Sequence, residues 1–159
     1  MRIAAGIILI IAAIINVIAG AGYVLGGGAA KITSDAVKTV GEEAIKEGGA
    51  EDADKASREL KEATDKAGAM GTGLMVFGLF LWLMSILQVV CSVFCFLSKA
   101  KGFIMAIGAL SIVAEIIGIV ILAFGWTNIF GLLGGLLAII GAMGIGKAAA
   151  PAAPAAPAA

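Results

Sequence analysis

The chain has 159 residues, with eleven basic and eleven acidic side chains, and 61% of its residues are apolar against 14% charged. Soluble domains usually contain about 45–50% apolar and about 25% charged residues, so this composition excludes an ordinary soluble domain and indicates a membrane protein. The balanced net charge also argues against nucleic acid as a partner.

The first apolar run predicts a transmembrane helix with its outer end within residues 1–30. A bilayer span needs about 20 apolar residues, and this run meets that length. The glycines at positions 26–28 predict the end of the helix. A cleaved signal peptide is the alternative, because Arg2 precedes an apolar core and the small residues 19–21 fit a cleavage site.

Residues 31–69 carry 17 of the 22 charged side chains of the sequence. Ten of the eleven acidic residues fall between Asp35 and Asp65. Ser34 is a candidate N-cap for one helix, and after the glycines at 48 and 49 a line of Ala53, Ala56, Leu60, Ala63 and Ala67 predicts a second. We expect an extracytoplasmic helical hairpin, either a solvated cap over the bundle or a docking surface for a partner or another copy of the chain.

The remaining sequence predicts three further spans with short connections. The predicted segments are the second span at 70–98, a cytoplasmic turn at 99–102, the third span at 103–124, an outer turn at 125–127, the fourth span at 128–146 and an Ala/Pro-rich cytoplasmic tail at 147–159. Short connections force antiparallel neighbours. The fold class is therefore all-α, a polytopic four-helix transmembrane bundle.

Basic residues beside the apolar runs predict the orientation. Arg2, Lys99, Lys101 and Lys147 flank alternate span ends, and positive residues favour the cytoplasmic side. We therefore expect a multi-pass protein of the cell membrane with both termini cytoplasmic and residues 31–69 outside.

Small residues on each span predict helix packing, because helices in lipid associate through close backbone approach. On the first span the stripe comprises Ala12, Asn16, Ala19 and Tyr23. On the second, Gly71, Gly78, Ser85 and Ser92 recur every seven residues. The other predicted packing residues are Gly108 and Gly118 on the third span, and Gly131, Gly134, Gly135, Ala138, Ala142 and Gly146 on the fourth.

Glu115 is the one charged residue inside the apolar runs. An ionised carboxylate at the bilayer centre costs at least about 2.5–3.5 kcal/mol, so the residue needs partners or a function. Counting from the cytoplasmic ends places it in one layer with other polar side chains. The predicted intramembrane polar cluster is Glu115, Asn16, Ser85, Gln88 and Ser111.

Enzymatic chemistry has little support in the sequence. The chain has no histidine, and Cys91 and Cys95 alone do not make a zinc site, which uses about four ligands. We expect no catalytic residues, no metal site and no cofactor.

The sequence has more small-residue patterns typical of helix packing than residues suited to catalysis, metal binding or transport. We therefore expect a non-enzymatic structural or accessory subunit that forms homo-oligomers or joins a larger membrane protein complex. The alternative is a small proton- or cation-translocating protein that uses Glu115, since intramembrane carboxylates commonly serve such pathways.

Overall fold

The computed structural model describes residues 2–48, 52–122 and 125–145, and all regular structure in these ranges is helical. Four helices follow in chain order. Their bounds are α1, Arg2–Gly48; α2, Ala53–Leu97; α3, Lys101–Leu122; and α4, Asn128–Met143. The all-α prediction is confirmed for the described residues.

The first two helices are much longer than a bilayer span. α1 has 47 residues and α2 has 45, which at about 1.5 Å per residue makes each roughly 70 Å long. The prediction that the first helix stops at Gly26–Gly28 is wrong, because α1 continues through these glycines. Gly27 has a packing reason for its missing side chain: a Cβ there would collide with the Gly71 carbonyl oxygen.

Ser34 is likewise an interior residue of α1 rather than an N-cap. Its hydroxyl donates a hydrogen bond to the Thr64 carbonyl oxygen of α2. The charged segment is therefore helical as predicted at residues 31–48 and 53–69, but its helices are the continuations of α1 and α2.

The chain divides into two compact units. The first consists of residues 12–87, in which α1 and α2 pair as an antiparallel hairpin. Tyr23 and Phe77 lie in contact with ring centroids 5.4 Å apart, and the Trp82 indole donates to the Val17 carbonyl at 3.1 Å. In the charged part, the Leu60 side chain lies where a Cβ of Gly41 would be.

The second unit consists of residues 1–11 and 88–159. Within it α3 and α4 form an antiparallel pair, and the start of α1 lies beside the end of α4, since Arg2 contacts Gly141. Phe94 at the end of α2 meets Phe103 at the start of α3, with centroids 5.4 Å apart. The start of α1, the end of α2, the start of α3 and the end of α4 thus meet at one end of this unit.

Three helices, α1 to α3, contain a window long and apolar enough to cross a membrane, whereas α4 is apolar but has only 16 residues. Large apolar side chains cover the outward faces of these helices; Ile18 is 69% and Val120 is 80% exposed. Such exposure suits contact with lipid rather than water.

Candidate functional site

Glu115 lies in α3, two turns before the described part of that helix ends, and is 9% exposed. Its Oε2 accepts a hydrogen bond of 2.7 Å from the Asn128 side-chain amide. Asn128 is the first residue of α4, and its Oδ1 accepts a 2.8 Å hydrogen bond from the Gly125 backbone N–H. One amide side chain therefore joins the α3 carboxyl to the backbone of the α3–α4 turn.

Gly131 makes room for this carboxyl group. A Cβ at position 131 would occupy the space of the Glu115 carboxyl. The glycine predicted as a helix-packing residue thus accommodates the buried acid. The Glu115 side chain is level with the first turn of α4, which places it near the α3–α4 turn.

A second polar pair lies one helical turn before Glu115 on α3. The Gln88 amide of α2 donates to the Ser111 hydroxyl at 3.1 Å, and both residues are 1% exposed. Ser111 and Glu115 are four residues apart on α3 and share a face. The polar side chains of this unit therefore tie α2 to α3 and α3 to α4.

The structure assigns the predicted five-residue cluster to two units. Glu115, Gln88 and Ser111 belong to the unit formed by residues 1–11 and 88–159, whereas Asn16 and Ser85, each 5% exposed, belong to residues 12–87. Sequence reasoning missed Asn128 as the partner of Glu115. No spacing in the sequence indicated this pair, because Glu115 lies ten residues before the predicted turn at 125–127 and Asn128 follows directly after it.

Of the predicted small residues of α3 and α4, Gly108 and Gly135 lie in the contact between these two helices. A Cβ at Gly108 would lie 2.8 Å from the Gly135 carbonyl oxygen, and one at Gly135 would lie 2.6 Å from that of Gly108. Gly134 faces Ile8 and Leu9 of α1, with Ile8 Cγ2 at 3.3 Å from its would-be Cβ. Ala138 and Ala142 are also buried, Gly118 is half-buried, and Gly146 lies outside the described residues.

The α1–α2 contact is also built from paired glycines, over a longer stretch of helix. Gly78 pairs with Gly20 and Gly71 with Gly27; the would-be Cβ atoms of Gly78 and Gly71 lie 2.6 and 2.7 Å from the opposing carbonyl oxygens. Each pair is seven residues from the next on both helices, and the Ser34–Thr64 hydrogen bond occupies the following step. One seven-residue repeat therefore runs through apolar and charged sequence alike.

The predicted α1 stripe is buried in part, and Tyr23 contacts Phe77 of α2. Asn16 and Ala12 are buried, but Ala19 and Tyr23 are only half-buried. The buried line instead follows Gly20, Gly27 and Ser34, because a two-helix contact follows a period close to 3.5 residues. The matching seven-residue spacing of Gly71 and Gly78 on α2 could have revealed this line.

Cys91 and Cys95 are free thiols packed in the interior, at 0% and 2% exposure. Within the described ranges, no group of three or more His, Cys, Asp or Glu side chains is placed to hold a metal ion.

Comparison with protein-family models, with curated proteins and with solved structures found no match.

Proposed function

We propose that this chain is a non-enzymatic structural or accessory subunit of a cell membrane, which packs with itself or within a larger membrane complex. Four helical spans anchor it, and residues 31–69 project outside. The observation that carries the proposal is the continuity of α1 and α2 from apolar into charged sequence. A continuous helix pair holds its tip at a fixed distance from the membrane, which is what a spacer or a docking arm requires.

The orientation rests on the basic residues. Arg2, Lys99 and Lys101 flank helix ends that meet at one end of their unit, and positive residues favour the cytoplasmic face. The charged half of the hairpin begins at Lys31, 28 residues beyond Ile3. At about 1.5 Å per residue this exceeds a hydrocarbon core of about 30 Å, so Lys31 lies beyond it.

Translocation of protons or cations through Glu115 is the second candidate function. The geometry favours a structural role for this residue, because its carboxyl group is held by Asn128 at a helix turn and fills the space beside Gly131. Glu115→Gln keeps the size and one acceptor oxygen but removes titration. Retained assembly with lost ion flux in liposomes would support translocation; retained assembly with no change in flux supports the structural role.

The experiment for the main proposal is native mass spectrometry of the complex released gently from its own membrane. Defined copies of this chain, or foreign subunits in fixed ratio, are the expected result. A lone monomer at every protein-to-detergent ratio would overturn the assembly role.

A further inference from the structure

One face of α1 is apolar and exposed on both sides of the point where charged sequence begins. Ile18, Leu25 and Ile32 recur every seven residues and are 69%, 73% and 72% exposed. Gly22, Ala29 and Ala36 recur at the same spacing between them and are exposed as well. These six residues are named the α1 seam.

From Lys31 to Glu42, the charged residues of α1 lie off the face that carries the α1 seam. At 3.6 residues per turn, Lys31, Asp35, Lys38 and Glu42 lie at least about 100° around the helix from the centre of the seam. Lys38 instead reaches α2, where it pairs with Asp65 at 3.2 Å. The face stays uncharged through Val40, which is 65% exposed, and ends at Glu43 and Glu47.

In the proposed topology, with the first span starting at Ile3, the outer part of the α1 seam lies beyond the lipid. Ile32 lies 29 residues beyond Ile3, which places it roughly 13 Å past a hydrocarbon core about 30 Å thick. A water-facing helix surface is normally polar, whereas contiguous exposed apolar surface marks an interaction site. Beside this surface, Ala36, Val37, Val40 and Gly41 line a shallow apolar groove.

A helix that follows α1 out of the membrane fits the whole α1 seam, because the seam continues from the span into the charged segment. A second copy inserted in the same direction supplies such a helix in parallel. A two-fold axis normal to the membrane then sets each seam residue against its own counterpart, so a charge there would face a like charge. The observed seam carries none.

We propose that the α1 seam is a parallel homodimer interface, which deepens the proposed function and rests on its assembly role. Small residues at Gly22, Ala29 and Ala36 let the two backbones approach, and the flanking Ile18, Leu25 and Ile32 fill the sides. The seven-residue spacing keeps such a contact in line along two supercoiled helices. It is also the spacing by which the opposite face of α1 packs on α2.

Disulfide trapping in native membranes tests this interface. The background carries Cys91→Ala and Cys95→Ala, and single cysteines are placed by Ile32→Cys or Ala36→Cys in the seam. Matched controls on other faces of the same helix are Lys31→Cys and Glu42→Cys. A disulfide requires Cα atoms about 4.4–6.8 Å apart, so we expect at least about tenfold more covalent dimer from the seam positions. Equal trapping on all faces, or none at the seam, would overturn the proposal.

A charge in the seam gives an independent measurement in the full chain. Ile32→Lys, outside the hydrocarbon core, is expected to reduce the dimer fraction in lipid nanodiscs, whereas Glu42→Lys is expected to leave it unchanged. An unchanged dimer fraction in Ile32→Lys contradicts the interface. A native complex with foreign subunits and no seam trapping would overturn the homodimer alone, whereas a lone monomer would overturn the proposed function as well.

Discussion

The α1–α2 pair and the α3–α4 pair are both antiparallel helix contacts built on glycine, yet they are secured differently. In α1–α2, small residues meet every seven residues from Gly20 outward to Ser34, across the change from apolar to charged sequence. In α3–α4, Gly108 and Gly135 make the close approach and a carboxyl–amide bond secures the turn. The long α1–α2 pair depends on repeated close approach of the two backbones. The short α3–α4 pair depends on the hydrogen bond between Glu115 and Asn128.

Enlarging a glycine of the long pair is expected to have the largest effect. In Gly78→Val the new side chain meets the Gly20 carbonyl oxygen and the Val24 backbone nitrogen, the latter 3.0 Å from its Cβ. Because backbone cannot move aside cheaply, we expect a loss of about 3 kcal/mol or more in the free energy of unfolding. Reversible unfolding in mixed micelles measures it.

The control is Gly73→Ala on the same helix. A Cβ at Gly73 meets nothing within 4 Å, and alanine favours helix by up to about 1 kcal/mol over glycine. Equal destabilisation by the two substitutions would contradict close packing at Gly78.

Removing the Glu115–Asn128 hydrogen bond of the short α3–α4 pair is expected to have a smaller effect on the free energy of unfolding. Glu115→Ala, Asn128→Ala and the double variant form a cycle, and we expect a coupling free energy of about 1 kcal/mol, typical of buried hydrogen bonds in membranes. Glu115→Gln retains an acceptor for Asn128, so it should cost less than Glu115→Ala. Additive effects in the cycle would show that the 2.7 Å bond contributes nothing.

A turn outside both contacts offers a stabilising change. Ala100, between α2 and α3, has a φ of 55°, a left-handed conformation that costs a residue with a Cβ about 1–2 kcal/mol. Ala100→Gly is therefore expected to raise the free energy of unfolding by about 1 kcal/mol. Ala63→Gly, in the exposed interior of α2, should lower it by a similar amount. If both substitutions raised or both lowered the free energy of unfolding, the left-handed conformation of Ala100 would be contradicted.

The smallest effect is expected at the surface of the long pair. The Lys38 and Asp65 side chains are 36% and 56% exposed in their ion pair, and exposed pairs contribute at most about 1 kcal/mol. Lys38→Met should change stability by less than about 0.5 kcal/mol, and salt at about 0.5 M should reduce the difference between the variant and the parent chain. A loss above about 1.5 kcal/mol would mean that charge, rather than small-residue contact, holds the outer hairpin.

Sequence alone predicted the helical class and the apolar segments of α1 to α3, because apolar length is a local signal. It did not predict that α1 passes through Gly26–Gly28. Glycine indicates a helix end when only the local sequence is considered. Here the Gly71 backbone of α2 packs against Gly27, so a side chain at position 27 would not fit.

The candidate site shows the same limit. Burial of Glu115 was predictable from its apolar neighbours, whereas its partner depended on where the α3–α4 turn sets the register. Asn128 stands at the start of α4, and only the paired helices bring it to Glu115. Depth counting alone gave a layer of polar residues without their pairing.

The continuity of α1 through its glycines is the central claim, and a distance between spin labels tests it most directly. Labels at Ile18→Cys and Lys46→Cys, in the Cys91→Ala, Cys95→Ala background and diluted with unlabelled chain, are separated by 28 residues. A continuous helix predicts a narrow distribution of backbone separations near 42 Å at about 1.5 Å per residue. A broad distribution, or one centred below about 30 Å, would mean that the helix breaks and that the charged segment is a separate hairpin.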